Sequence, residues 1–78
     1  MPRFYFDHLD GDDLVKDDDG LELETVEQAR EEAAAGLAGV VKDALPHAIG
    51  REMAIEISDE NRRPLFRLRV WSRLEPLG

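Results

Sequence analysis

The sequence predicts an α+β domain: a two-layer ββαββ arrangement, with an antiparallel sheet and one long helix packed on one face. Three observations carry that expectation. Thr25 to Leu45 read as one capped amphipathic helix, the stretches on either side each read as a β-hairpin, and Asp- and Gly-rich turns separate the pieces. At 78 residues the chain is too short for two domains, so 1–78 is expected to be one small domain with 74–78 a flexible tail. A domain of this size buries only about 60–65% of its unfolded surface. Cysteine is absent, so no disulfide or thiolate metal site can add to that core, and small domains without such staples often gain stability by oligomerising.

The first strand is the aromatic-rich run Arg3-Phe4-Tyr5-Phe6-Asp7-His8-Leu9. Phe4, Phe6 and His8 share one face; Tyr5, Asp7 and Leu9 share the other. Asp10-Gly11 marks a tight turn, and Leu14-Val15-Lys16 reads as the return strand. Asp17-Asp18-Asp19-Gly20 interrupts the pattern, after which Leu21-Glu22-Leu23 is either a third short strand or a bulged continuation of the second.

Thr25 and Gln28 form a capping box at the helix start. Val26, Ala29, Ala33, Leu37, Val40, Val41, Ala44 and Leu45 form its apolar stripe. Pro46 is expected to end the helix by restricting Leu45 and removing a donor. Gly36 and Gly39 either permit close backbone approach to the sheet or a partner helix, or are simply tolerated. Beyond the helix, Met53, Ile55 and Ile57 alternate with Ala54, Glu56 and Ser58 as a half-buried strand. Asp59 to Arg62 makes the turn. The last strand then carries Phe66, Leu68 and Val70 on one face and Leu65, Arg67, Arg69 and Trp71 on the other. Leu37, Ile55, Phe6 and Leu68 are expected to meet in one core under the helix. The opposite sheet face has no element left to cover it.

The net charge of −8 opposes nucleic-acid binding. Its distribution is uneven: residues 1–32 hold twelve acids against three bases, whereas five of the ten basic residues fall between Arg62 and Arg73. The acidic run Asp7, Asp10, Asp12, Asp13, Asp17, Asp18, Asp19 does not fit the calcium loop of a helix–loop–helix site. Placing Gly20 or Gly11 at the required glycine puts Val15 or Phe6 at the first ligand position. A solvated acidic turn is the reading adopted, with weak cation binding as the alternative. His8 and His47 have no histidine at ligand spacing, so no metal is expected. No nucleophile constellation or phosphate loop is present, so no catalytic residue, no cofactor and no enzyme is expected. The Arg67, Arg69, Trp71 stripe, with Arg62, Arg63 and Arg73 nearby, is the best functional candidate. Its arginines either pair with acids of the same or a second molecule or bind single-stranded nucleic acid.

Taken together, the chain resembles an uncharacterised family of short bacterial proteins, a "domain of unknown function" family. The matching pieces are Met1-Pro2-Arg3-Phe4-Tyr5-Phe6, Asp19-Gly20-Leu21-Glu22-Leu23, Ala29-Arg30-Glu31-Glu32-Ala33 and Ile55-Glu56-Ile57-Ser58-Asp59-Glu60. The resemblance implies a small bacterial cytoplasmic ββαββ protein and carries over no functional residues. Thr25-Val26-Glu27-Gln28-Ala29 is more faintly similar to the helix start of small antitoxin domains, which would imply a regulatory role. The expected function is a non-enzymatic protein-interaction module that forms a homodimer. Its candidate face is Tyr5, Leu9, Leu65, Arg67, Arg69 and Trp71; no segment is long and apolar enough to place it in a membrane.

Overall fold

A computed structural model describes residues 1–78. The elements run β1 (Arg3–Asp10), β2 (Asp13–Val15), β3 (Leu21–Glu22), α1 (Val26–Ala48), β4 (Met53–Ser58) and β5 (Pro64–Val70). All strand pairs are antiparallel, in the order β2-β1-β4-β5, with β3 also on β1. The α+β class and the one long helix are as the sequence predicts. The open question at Leu21 resolves into a third strand. β2 pairs with the second half of β1 (His8 opposite Val15), and β3 pairs with the first half (Phe4 opposite Leu21).

The helix starts where the cap residues place it. Thr25 is extended, its Oγ1 accepts from the Gln28 N–H at 3.1 Å, and the Gln28 Oε1 accepts from the Glu24 N–H at 2.8 Å. Both are orphan donors of a helix N-terminus or its entry, satisfied reciprocally. The end differs from expectation: α1 runs through Pro46 to Ala48. Within the last turn a proline removes one N–H to a carbonyl that water can also serve, and buried Ala48 anchors the turn in the core. Gly50, at φ +88°, then reverses the chain. A Cβ at Gly36 or Gly39 would meet nothing within 4 Å, so neither serves close approach to the sheet.

The core is one cluster: Phe4 and Phe6 from β1, Ala29, Ala33, Leu37 and Ala48 from α1, and Met53, Ile55 and Ile57 from β4. Leu23, Val41, Ala44 and Val70 pack on its margin. Ala29 and Ala33 let the helix settle closely over β4, and the two phenyl rings of β1 reach under it from one side. Leu37, Ile55 and Phe6 meet as expected, but Leu68 does not join them. The helix packs chiefly on β4; of β5, one strand further out, only Val70 reaches the core margin, and Arg30 extends over Phe66.

Candidate interaction surface

On the face away from the helix, charge pairs cross from strand to strand. Arg67 donates to the Glu56 Oε2 through Nε at 3.1 Å and Nη2 at 2.6 Å, and Arg69 Nε lies 2.8 Å from Glu52 Oε1. Glu56 and Arg67 are directly opposed in the β4–β5 ladder, where side-chain pairs interact most closely. Arg62 sits at φ +63°, the one non-glycine residue in the left-handed region. The turn that holds it there is tied by Asp59, whose Oδ1 accepts from the N–H groups of Asn61 and Arg63, both at 2.9 Å. From that position the Arg62 guanidinium lies 4.2 Å from the centroid of the Tyr5 ring and 3.7 Å from Asp7 Oδ1. Arg51 reaches Asp10 at 2.8 Å.

The acidic run is built into the fold through Asp17. Five residues, 16–20, lie opposite the three residues 5–7 of β1, so the ladder breaks between β2 and β3. The Asp17 carboxylate spans the break: Oδ2 accepts from the Phe6 N–H at 3.1 Å, and Oδ1 accepts from Asp19 N–H at 3.1 Å and Gly20 N–H at 3.0 Å. The Asp17 N–H in turn donates to Asp7 Oδ1 at 2.9 Å. Partial burial raises the Asp17 pKa, but the three backbone donors, aided by the Arg62 charge, outweigh it and hold the carboxyl below the ordinary aspartate range. Gly20, at φ +71°, completes the turn where a Cβ would come within 2.8 Å of Arg3 Cγ and 3.0 Å of the Phe4 carbonyl oxygen. Asp7, Asp10 and Asp17 thus spend their carboxylates on protein donors. No three histidine, aspartate or glutamate side chains converge as a metal-binding group.

An exposed apolar column lies on the helix side of β5. Phe66 and Leu68 are 41% and 37% exposed, although their ladder partners on the same face, Ile57 and Ile55, are only 1% and 2% exposed. Between α1 and β5 runs a groove of about 480 Å³ floored by Ala33, Ala34, Ile57, Phe66 and Leu68. Arg30 also lines it, its guanidinium 5.4 Å from the Phe66 ring centroid.

The structure divides the six face residues read from the sequence. Tyr5 and Leu9 are half-buried, Tyr5 beneath Arg62; Arg67 and Arg69 hold glutamates; Trp71 stands 67% exposed just past the end of β5. Leu65 leaves the alternation. The register shifts at Ser58, which pairs with Pro64 while Ile57 pairs with Phe66, so Leu65 is the extra residue of a bulge. There it borders a hollow beside Phe4 and Val26 on the helix side. The sequence reading missed Phe66 and Leu68 as surface, and it missed Asp17 as a structural clamp. The signal for Asp17 was its place three residues ahead of a turn glycine.

The family model for a domain of unknown function, DUF6894, matches residues 3–71. The chain belongs to that family, as the resemblance implied. No curated protein and no solved structure matches it. No helix is long and apolar enough to cross a membrane.

Proposed function

We propose that this domain is a small, non-enzymatic protein-interaction module of the bacterial cytoplasm and that it self-associates as a homodimer. The observation that carries the reading is the half-covered helix face of the sheet. Phe66 and Leu68 lie open beside buried isoleucines on the same face, an arrangement that marks a surface expecting a cover. The absence of cysteine and the small core give association a stabilising role as well. Gel filtration coupled to light scattering tests it: a mass approaching twice 8.8 kDa is expected as concentration rises, and a constant single-chain mass refutes it.

Single-stranded nucleic-acid binding is the second reading, favoured by the exposed indole of Trp71 beside the β5 arginines. The ion pairs of Arg67 and Arg69 with Glu56 and Glu52 weigh against it, because a phosphate would have to displace a carboxylate already in place. Quenching of Trp71 fluorescence by mixed-sequence oligonucleotides at low salt, weakening as salt rises, would establish this reading over the first.

A further inference from the structure

We infer that self-association, on the reading just given, runs through antiparallel pairing of β5 with β5 of a second copy, which continues the sheet and sets both helices on one face. The two edges of the sheet differ. The β1 edge is occupied by β2 and β3 and tied down by Asp17, whereas β5 has no neighbour beyond it over its seven residues. Pairing the two β5 strands sets the two β4 strands three strand intervals apart, about 14 Å. Helices in direct contact stand about 8–10 Å apart, so two helices that each pack on β4 leave a narrow trough between them. Phe66 and Leu68 of each copy floor that trough, and Ala34 on each helix leaves room for their side chains.

The strand is self-complementary about Arg67. A two-fold axis there brackets Pro64 to Val70 and sets Phe66 of each copy opposite Leu68 of the other, apolar against apolar on the helix face, with the bulged Leu65 left outside the regular ladder. Pro64, which has no N–H to give, falls at the end of the new ladder, where its loss is smallest. Arginines on an edge strand ordinarily discourage pairing. Here Arg67 and Arg69 are already neutralised by Glu56 and Glu52 of their own chain, so the two edges meet as ion pairs rather than as bare cations. The contact is a strip at most about 23 Å long, no more than roughly 500 Å² per copy counting the edge and one side-chain reach on each face. That is below the approximately 800 Å² per partner of standard complexes, so the dimer is expected to be reversible and concentration-dependent.

The test is light scattering coupled to gel filtration from low micromolar to millimolar concentration, on the wild type, Phe66→Asp and Trp71→Glu, with far-UV circular dichroism on each. The wild type is expected to move towards twice 8.8 kDa and Trp71→Glu to follow it, while Phe66→Asp stays folded at the single-chain mass. A fourth variant, Arg67→Cys, keeps the question open to test if Phe66→Asp fails to fold. Directly opposed Cα atoms across an antiparallel pair lie about 4.5–5.5 Å apart, within disulfide range, so mild oxidation is expected to link the copies covalently. A wild type that stays single-chain throughout, its edge then free for a strand of another protein, overturns both this inference and the self-association reading. A dimer that Trp71→Glu dissolves and Phe66→Asp leaves intact, or one in which Arg67→Cys does not cross-link, overturns strand pairing alone.

Discussion

Asp17→Ala is the sharpest test of how the N-terminal half is held together. The substitution removes the acceptor of three backbone N–H groups. The Phe6 N–H is the expensive one, because it lies in the partly buried break between β2 and β3. Leaving such a donor unsatisfied costs about 1–2 kcal/mol, and the exposed Asp19 donor and the Gly20 donor, part-buried in a turn outside the ladder, add about 0.5 kcal/mol each. The sum, about 2–3 kcal/mol, is large for a 78-residue chain, whose whole stability should fall near 4–12 kcal/mol. At the usual slope for small domains it lowers the melting temperature by roughly 10–20 °C. Asp17→Asn keeps one acceptor oxygen and should lose about half as much.

The pH dependence carries a fixed sign. The folded carboxyl titrates below its unfolded value, so the unfolded chain binds the extra proton as the solution turns acidic. Asp17 therefore contributes its full stabilisation above the unfolded aspartate pKa, about 4, and loses it as pH falls through the lower folded value. Urea titrations followed by far-UV circular dichroism at neutral pH and at successively lower pH measure this; Trp71 is too exposed to report folding well. The gap between wild type and Asp17→Ala is expected to narrow towards acid. A gap below about 0.5 kcal/mol at neutral pH, less than the net worth of one ordinary hydrogen bond, would show that Asp17 does not clamp the strand break.

Leu37→Ala, at the centre of the core cluster, should cost about 2–5 kcal/mol, read as a large drop in melting temperature. Leu68→Ala should cost clearly less, near 1 kcal/mol in the monomer, because the side chain is already more than a third exposed; thermal melts of the two variants side by side check the ranking. Gly20→Ala should destabilise by at least 1 kcal/mol, since it adds a Cβ at positive φ against Arg3 and the Phe4 carbonyl, and chemical denaturation measures it. Thr25→Ala removes the helix cap and should cost about 1 kcal/mol by the same assay.

What the sequence made legible was local. The Thr25/Gln28 cap and the Gly11 turn each depend on neighbours within four residues, and each appears where the pattern places it. β4 also forms where its alternation places it, but it is not half-buried, because as an interior strand between β1 and β5 it buries Ala54 and Ser58 on the far face too. The helix end was misjudged because the rule against proline applies to a helix interior, where the lost bond has no substitute. Near the C-terminus the carbonyl is half-orphaned in any case, and the burial of Ala48 outweighs the loss. Asp17 was hidden in a run of seven aspartates; nothing in composition separates a carboxylate that holds three N–H groups from one that faces water.

The candidate surface was harder to read, because periodicity assigns a residue to a face and says nothing of what covers that face. Phe66 and Leu68 were placed on the helix side, which is their side, and burial was inferred from it. Burial, however, depends on the lateral position of one helix over four main strands, and the small residues Ala29 and Ala33 draw that helix over β4. The far face shows the converse. Its arginines left two readings open in the sequence, acid pairing or a nucleic-acid face, and the structure pairs them: cross-strand pairing puts Arg67 on Glu56, while Arg69 reaches Glu52 and Arg62 folds over Tyr5. Those partnerships depend on a register set by the Asp59 turn, the positive φ at Arg62 and the bulge at Leu65, none of which a hairpin reading of Asp59 to Arg62 contains. Because that register spends the charges inside the chain, the apolar surface left for a partner is the open column of β5 rather than the arginine stripe behind it.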